Sequence, residues 1–211
     1  MGTPQCAVPH LAMLAESGHE IAAVVTRPDR PAGRGQRLTP PPVKSAAEVL
    51  GLPVLQPASL KDAGFRAQME ALRPDLVCVV AYGGLLPPWL LELPAKGCVN
   101  VHPSLLPRYR GAAPIQRAIM NGDAYTGVTT MYMAEAMDAG DIILQEQVAI
   151  GKEDDAGTLH DRLAEVVARL LRRTVDLIAA GTAPRVPQDE ALVTFAPKIG
   201  PDDERIDWSA P

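Results

Sequence analysis

The sequence of 211 residues has few aromatic side chains, few cysteines and no long uninterrupted hydrophobic run. Aromatic residues make up only 4%, which argues against stacking platforms for single-stranded bases. The longest run without charge, residues 76–91, is broken by Gly-Gly and Pro-Pro pairs, so it predicts a strand and a loop rather than a membrane span. The amino terminus has no basic segment followed by an apolar stretch, and we therefore expect no secretory signal.

Cysteines, histidines and net charge exclude further classes. The three cysteines (Cys6, Cys78 and Cys98) are unclustered, which is typical of reduced thiols in a cytoplasmic protein. The four histidines and the cysteines show no ligand spacing, so we predict no metal site. The net charge is −5, and the whole chain therefore does not have the basic character of a nucleic-acid binder. Proline is abundant, with 21 residues, and it concentrates in connections that need fixed shapes.

Strand and helix patterns alternate along the chain. This alternation predicts an α/β fold, a doubly wound, Rossmann-like and mostly parallel sheet with helices on both faces. In such sheets ligands bind beyond the carboxyl ends of the strands. The predicted helices cover residues 8–17, 43–50, 60–73, 114–121 and 158–180, and a further short helix leads to Gly97. The predicted strands cover residues 19–26, 53–56, 75–82, 98–102, 126–133 and 141–150.

Both ends of the sequence differ from a complete domain of this class. A doubly wound domain normally opens with a strand, yet residues 1–4, Met-Gly-Thr-Pro, are typical of the turn that follows one. We therefore expect the sheet to lack its first strand. After Gly181 the chain becomes polar and rich in proline. We predict one catalytic domain over residues 1–185 and a linker segment over residues 186–211.

A carboxamide and an imidazole end one predicted strand. Asn100 and His102 are two residues apart, so their side chains point to the same side, at the carboxyl end of the strand. An amide N–H can donate to an oxyanion, and an imidazole can hold or move a proton near neutral pH. The pair thus suits acyl chemistry. Taken alone, however, an Asn-x-His pair favours a structural hydrogen bond.

The residues after this pair carry a family resemblance. Ser-Leu-Leu-Pro follows at residues 104–107, and Asp138 lies downstream within Met-Asp-Ala-Gly-Asp at residues 137–141. The Asn-x-His pair, the Ser-Leu-Leu-Pro segment and the later Asp, in this order, resemble the signature of the 10-formyltetrahydrofolate-dependent formyltransferases. The resemblance implies catalytic roles for Asn100, His102 and Asp138, and 10-formyltetrahydrofolate as the formyl donor without a metal.

Further stretches resemble the branch of this family that formylates methionyl-tRNA to support translation initiation. They include Arg-Pro-Asp-Arg-Pro-Ala-Gly-Arg-Gly at 27–35, Gly-Ala-Ala-Pro-Ile-Gln at 111–116 and Gly-Thr-Leu-His-Asp at 157–161. The resemblance covers essentially the whole chain, although Cys6 stands where the family usually has an aromatic residue. It also implies that the segment from residue 186 leads toward a carboxyl-terminal β-barrel domain that this sequence lacks.

The resemblance implies a role for each site residue. The amino group of the acceptor attacks the formyl carbon, and Asn100 with a protonated His102 stabilises the oxyanion. Asp138 orients His102 and, through an ordered water, helps a proton to move from the attacking amine to N10 of the folate. The folate pocket is expected to be lined by Ser104, Leu105, Leu106 and Pro107, with Tyr82, Gly83 and Leu85 flanking the pterin. A plain strand-to-helix turn also explains the Tyr82 segment.

The loop over residues 27–44 is locally basic on an acidic protein. A solvated basic loop is the ordinary explanation, but phosphate contact also requires local positive charge. The resemblance implies that the loop inserts at the tRNA acceptor arm. The candidate tRNA-binding residues are Arg34 above all, then Arg30, Arg37 and Lys44.

Several other functions remain open at this stage. A formyltransferase that acts on a nucleotide-sugar amine shares the same three residues, although a small sugar gives no reason for the basic loop. A folate hydrolase replaces the amine with water. A noncatalytic folate- or nucleotide-binding module does not need a positioned proton carrier. We expect a cytoplasmic monomer with no membrane contact.

Overall fold

The computed structural model describes residues 1–33 and 35–205 of the chain. Arg34 and residues 206–211 lie outside the described residues. Short 3₁₀ turns cover Gln5–Ala7 and Glu190–Leu192. The α-helices are α1 (Val8–Ala15), α2 (Pro42–Val49), α3 (Ala63–Leu72), α4 (Pro88–Glu92), α5 (Pro114–Met120) and α6 (Ala156–Ala179). The strands are β1 (Val24–Val25), β2 (Arg30–Ala32), β3 (Arg37–Thr39), β4 (Val54–Leu55), β5 (Val77–Val79), β6 (Cys98–His102), β7 (Arg110–Gly111), β8 (Tyr125–Tyr132), β9 (Ile142–Ala149) and β10 (Phe195–Ala196).

The main sheet has four strands in the order β5-β6-β8-β9. Strand β6 runs parallel to β5 on one side and antiparallel to β8 on the other, and β8 pairs antiparallel with β9. A second parallel pair, β1 with β4, lies beyond β5. An antiparallel edge on a parallel sheet is common in doubly wound folds. The predicted α/β, Rossmann-like class is confirmed.

Helix α6 covers the sheet and carries much of the core. It begins with a capping box, in which Asp155 accepts from the amide of Thr158 and the Thr158 hydroxyl accepts from the amide of Asp155. Its apolar stripe, predicted from the periodicity of residues 158–180, is buried. That stripe forms one cluster with side chains of the sheet, including Leu159, Leu163, Val166, Val167, Leu170, Leu171 and Val175 from the helix and Val101 and Val128 from the strands.

The first two residues lie where a central strand is expected. The amide of Gly2 donates to the carbonyl of Val25, at 3.1 Å, and the amide of Val80 donates to the carbonyl of Met1, at 2.9 Å. Gly2 also pairs in parallel with Val80. Among the described residues, a strand between β1 and β5 is therefore represented only by this short piece.

The loop predicted over residues 27–42 contains a hairpin. Strands β2 and β3 pair antiparallel, with Arg30 opposite Thr39 and Ala32 opposite Arg37. Proline and charged residues hide these strands from a search for alternating apolar residues. Conversely, the predicted strand at residues 19–26 is shorter in the structure and covers only Val24–Val25. Its strand partner β4 is equally short and pairs with these two residues alone.

The chain after residue 185 continues to contact the rest of the domain. Val186 bridges to Ile142, and β10 pairs in parallel with β7. Further on, Arg117 forms an ion pair of 2.6 Å with Asp203. The domain boundary at residue 185 stays a prediction. Within the part of the chain that the structure describes, no helix has both the length and the apolar character to cross a membrane.

Candidate active site

A cavity of about 610 Å³ opens at the carboxyl ends of β5 and β6. Its volume falls within the range of small-molecule sites, about 300–1,000 Å³. Asn100, His102 and Asp138 all lie on its wall, together with the loop that follows β5 and residues of α6. The structure thus brings the three predicted residues together, at the end of the sheet where ligands of this fold class bind.

Strand β6 presents Asn100 and His102 to this cavity. Because they are two residues apart on a strand, both side chains project from the same face. The Nε2 atom of His102 lies 2.8 Å from the carbonyl oxygen of Tyr109, an acceptor, so Nε2 carries the donating hydrogen. His102 is 4% exposed, and its other nitrogen, Nδ1, is left for chemistry. Asn100 is partly buried, and its amide forms no hydrogen bond with any other described residue.

Asp138 approaches the free nitrogen of His102. Its Oδ2 atom lies 3.7 Å from Nδ1 of the ring, and both side chains are largely buried. The backbone of Asp138 has a φ of 52°, a left-handed conformation that Asp tolerates better than most residues. This turn directs the carboxylate back toward β6. The carboxylate thus faces Nδ1 of the ring.

The loop that carries Asp138 is held by the segment after residue 185. Nε2 of Gln188 donates to the carbonyls of both Asp138 and Gly140, each at 2.8 Å. Arg110 in turn donates to Oε1 of Gln188, at 3.0 Å, and pairs with Glu190, at 2.8 Å. Gln188 is therefore a site residue that sequence reasoning missed. Its contacts lie about 50 positions away in the chain and carry no local pattern.

The loop after β5 forms another part of the wall, with Tyr82, Gly83 and Leu85. Their expected contact with the pterin stays a prediction. Arg27 holds this loop, because its Nε donates to the carbonyl of Tyr82, at 3.2 Å, and its guanidinium also bonds to the carbonyl of Gly83. The same guanidinium lies 5.9 Å from the centre of the Tyr82 ring. Burial raises the pKa of Tyr82. Arg27 thus has a structural role that the basic-loop interpretation did not distinguish.

The Ser-Leu-Leu-Pro segment at residues 104–107 lies beside the cavity, and its side chains do not line the part of the wall that the structure describes. Ser104 is fully buried, and its hydroxyl donates to the carbonyl of Arg108 at 2.6 Å. The amide of Leu106 donates to the hydroxyl of Thr129, at 3.1 Å. These hydrogen bonds shape the turn after His102. The folate contacts expected of Ser104, Leu105, Leu106 and Pro107 stay a prediction.

The basic hairpin presents some of its predicted residues to solvent. Arg30 and Arg37 are exposed, whereas Lys44 forms an ion pair of 2.8 Å with Asp29. Hydrogen bonds from Gln56 and Lys44 lower the pKa of Asp29. Lys44 therefore stabilises the base of the hairpin. The prediction for Arg34 falls outside the described residues.

His10 is a further residue that sequence reasoning did not single out. It belongs to α1, is 3% exposed and lines the cavity near α6. Neither ring nitrogen has a hydrogen-bond partner among the described residues. Burial, with a contribution from nearby His160, lowers the pKa of His10. The sequence signal is a lone histidine on an apolar helix face, which does not distinguish a site residue from a core residue.

The sequence matches known proteins over most of its length. The profile of a family described as formyl transferase matches residues 1–175. The chain is 60% identical to the methionyl-tRNA formyltransferase of Moorella thermoacetica, over 100% of this chain and 68% of that protein. It is 56% identical to the methionyl-tRNA formyltransferase of Pelotomaculum thermopropionicum, over 99% of this chain and 66% of that protein. The chain thus spans about two thirds of the length of these relatives.

Solved structures share the fold. Phosphoribosylglycinamide formyltransferase from Bacillus halodurans matches with a TM-score of 0.66 and 29% identity, over 81% of this chain and 88% of that one. An N-formyltransferase from Helicobacter canadensis, in complex with folinic acid and dTDP-3-aminofucose, matches with a TM-score of 0.71 and 18% identity, over 97% of this chain and 70% of that one. The second likeness, at this low identity, shows the fold alone.

Proposed function

Because the chain belongs to the formyl transferase family, we propose that it transfers a formyl group from 10-formyltetrahydrofolate to the amino group of methionyl-tRNA. The observation that carries this proposal is the meeting of Asn100, His102 and Asp138 in one cavity, with Nδ1 of His102 3.7 Å from Asp138. The names of the relatives at 56–60% identity support the choice of methionyl-tRNA as acceptor.

The three side chains suit attack of an amine on a formyl carbon. The nitrogen lone pair forms the new C–N bond, and the formyl oxygen takes up negative charge in a tetrahedral intermediate. The amide of Asn100 and a proton on Nδ1 of His102 stabilise this oxyanion. The bond to N10 of the folate then breaks, and the proton lost by the amine goes to N10 with the help of Asp138. The bonds formed and broken and the proton transferred therefore balance without an oxidant, a reductant or a metal.

The cavity offers a suitable place for the folate donor. Its wall is mostly apolar, from Leu85, Leu86, Met131 and Val101, which suits a flat aromatic ring system. A few polar groups converge at one end, where Asn100 and Asp138 lie. The loop held by Arg27 supplies one flank. Contacts from Tyr82, Gly83 and Leu85 to the donor belong to the proposal.

The basic hairpin supports a tRNA acceptor. The chain enters the hairpin from Arg27, which contacts the cavity wall, and leaves it near Lys44, which is fixed to Asp29. Arg30 and Arg37 are exposed on this anchored element and suit contact with phosphates. We include Arg34 in the tRNA-binding set on the strength of the sequence resemblance. An acceptor used in translation implies a cytoplasmic reaction.

The test compares acceptors and site variants. Purified protein is supplied with 10-formyltetrahydrofolate and either methionyl-tRNA, a nucleotide-linked amino sugar or water. We expect transfer to methionyl-tRNA, with Asn100→Ala lowering turnover about 10²–10³-fold through loss of an oxyanion donor. His102→Ala is expected to lower turnover about 10²–10⁴-fold. Both variants should keep the far-ultraviolet circular dichroism spectrum of the parent.

Matched controls replace the same residue types elsewhere. His19→Ala removes a partly buried imidazole that pairs with Asp176, and Asn121→Ala removes an amide that bonds to the hydroxyl of Tyr109. Both should retain turnover within about threefold, since neither touches the proposed reacting atoms. Full turnover in Asn100→Ala or His102→Ala would contradict the site. Transfer to the sugar or to water, with none to methionyl-tRNA, would replace the proposed acceptor.

A further inference from the structure

The short segment at residues 109–111 contacts both His102 and Asp138 through its backbone. The carbonyl of Tyr109 accepts from Nε2 of His102, at 2.8 Å. Two residues later, the amide of Gly111 donates to Oδ2 of Asp138, at 2.9 Å. The same carboxylate oxygen lies 3.7 Å from Nδ1 of the ring. The position of this segment therefore sets how the imidazole and the carboxylate face each other.

The backbone of Tyr109 has a conformation that needs support from its surroundings. Its φ is 63°, in the left-handed region that a bulky residue rarely adopts. Such a conformation persists where neighbouring contacts determine it. The amide of Tyr109 donates to the hydroxyl of Thr194, at 2.9 Å. The amide of Arg110 donates to the carbonyl of the same Thr194, also at 2.9 Å. These two bonds fix one side of the segment.

The side chain of Tyr109 supplies a second support. The residue is 5% exposed, and it packs in one apolar cluster with Ala118 and Ala196. Its hydroxyl donates to Oδ2 of Asp123, at 2.7 Å, and accepts from Nδ2 of Asn121, at 2.9 Å. Asp123 lies after the end of helix α5. The bond from the hydroxyl to the carboxylate thus ties the segment to a different part of the fold.

The bond between Tyr109 and Asp123 joins a protonated hydroxyl to a carboxylate. Burial raises the pKa of Tyr109, and the hydrogen bond to Asp123 raises this pKa further. The hydroxyl therefore keeps its proton at neutral pH and acts as the donor. The carboxylate also pairs with Arg108, at 3.1 Å. Hydrogen bonds to an ionised acceptor are stronger than those between neutral groups, so this bond is the main anchor of the ring.

We propose that Tyr109 is a positioning residue for formyl transfer, and that its side chain anchors the segment that holds His102 and Asp138. The proposal rests on the function proposed above. The described wall of the cavity includes neither Tyr109 nor Asp123, so the anchor acts on the substrates only through the two residues that it positions. Loss of the anchor should therefore lower kcat and leave KM for donor and acceptor nearly unchanged.

Tyr109→Phe tests the anchor, because it removes the hydroxyl and keeps the buried ring. A small displacement of His102 and Asp138 should lower kcat with methionyl-tRNA about 10–100-fold. Tyr132→Phe is the matched control, since it makes the same change at another buried tyrosine, which packs in a separate apolar cluster. It should retain kcat within about threefold of the parent.

Variants of Asp123 test the other end of the same bond. Asp123→Ala removes the acceptor and should lower kcat about as far as Tyr109→Phe does. Asp123→Asn is the conservative variant, and because it keeps an acceptor oxygen it should retain kcat within about threefold of the parent. The double variant Tyr109→Phe and Asp123→Ala should be no slower than Tyr109→Phe alone, since both changes remove one shared bond. If Tyr109→Phe failed to fold, the two Asp123 variants would decide the question.

The ring of His102 gives a readout that does not depend on turnover. Nitrogen-15 spectra of the neutral imidazole show which of its two nitrogens carries the hydrogen. In the parent this should be Nε2, which donates to the carbonyl of Tyr109. In Tyr109→Phe and Asp123→Ala, exchange of this hydrogen with water should be at least about tenfold faster. Tyr132→Phe should exchange it at the rate of the parent.

The outcomes separate this proposal from the proposed function. A parent protein without transfer to methionyl-tRNA would contradict the proposed function, and exchange of the His102 hydrogen would still decide whether Tyr109 holds the ring. Parental kcat or unchanged exchange in Tyr109→Phe would overturn the proposal. A rise in KM without a fall in kcat would overturn it as well. The same holds for a loss of kcat in Tyr132→Phe as large as in Tyr109→Phe, or in Asp123→Asn as large as in Asp123→Ala.

Discussion

The backbone amide of Gly111 donates a hydrogen bond of 2.9 Å to Oδ2 of Asp138, the same oxygen that lies 3.7 Å from Nδ1 of His102. Strand β7 thus holds the Asp138 carboxylate beside the His102 ring. Gly111 has a φ of 122°, which disfavours residues with a side chain. A Cβ atom there would also lie 2.8 Å from the carbonyl of Ala196. The carboxylate is therefore positioned by backbone geometry and not by the Asp138 loop alone.

Asp138→Asn separates the charge of this residue from its placement. The amide oxygen of Asn can still accept from Gly111, and Asn tolerates the left-handed backbone, so the fold should persist. The substitution removes the negative charge that lies 3.7 Å from Nδ1 of His102. We expect turnover to fall about 10²–10⁴-fold while the affinity for the folate donor changes little. Single-turnover kinetics and donor titration measure the two effects.

The control for this variant is Asp141→Asn, which removes a nearby carboxylate that lies 3.8 Å from Arg185. It should retain turnover within about threefold of the parent. If Asp138→Asn also kept its turnover, the carboxylate would have no role in proton movement or ring orientation. A matching loss in both variants would instead indicate a general effect of charge near the cavity.

Gln188→Leu tests whether the segment after residue 185 positions the Asp138 loop. The variant removes both donor bonds, to the carbonyls of Asp138 and Gly140. A small displacement of the carboxylate should lower kcat about 10–100-fold, with KM for the acceptor nearly unchanged. Gln147→Leu, an exposed residue of β9, serves as the control. Equal kcat values for the two variants would show that Gln188 does not act on the site.

The sequence names those candidate site residues that have a local pattern or a family resemblance. Asn100 and His102 follow from a strand with a period of two, and Asp138 follows from the family resemblance. Arg27 and Gln188 could not be predicted, because their partners are 55 and 50 positions away and the contacts are to backbone carbonyls. Such contacts depend on how elements pack, which no short stretch of sequence records.

Two other features of the structure have physical causes as well. In the Ser-Leu-Leu-Pro segment at 104–107, hydroxyls of Ser104 and Thr129 satisfy backbone groups of the turn, and the expected role of this segment in the folate pocket stays a prediction. The hairpin β2–β3 was predicted as a loop. Arg30 and Pro31 give it no apolar alternation, and its short strands are held by their mutual backbone bonds.

Removing the exposed charges of the hairpin should weaken tRNA binding selectively. We expect the double variant Arg30→Ala and Arg37→Ala to raise KM for methionyl-tRNA and to leave folate binding unchanged. Each lost phosphate contact should reduce the slope of log affinity against log salt by about 0.7–0.9. The measurement is a filter-binding titration at several salt concentrations, beside a folate titration.

The control for the hairpin variant is Arg173→Ala, which removes an exposed arginine from α6. A general effect of lower positive charge would reduce the salt slope in both variants to the same extent, and the hairpin would then have no special role. If folate affinity fell together with tRNA affinity in the hairpin variant, the effect on tRNA would not be selective. The substitutions would then have altered the cavity wall, which Arg27 contacts.

His10 should make the fold sensitive to mild acid. Burial lowers the pKa of His10, so the unfolded chain, with an ordinary histidine near 6.5, binds this proton more readily than the folded chain. The free energy of unfolding therefore decreases as the pH falls below about 6.5, by at most about 1.4 kcal/mol per pH unit for one proton.

Urea unfolding of the parent and of His10→Gln at pH 7, 6 and 5 measures this decrease. Gln does not titrate, so the variant should lose this part of the slope. The control His19→Gln, which changes a partly buried histidine paired with Asp176, should retain it. Identical slopes for the parent and His10→Gln would show that protonation of His10 is not linked to unfolding.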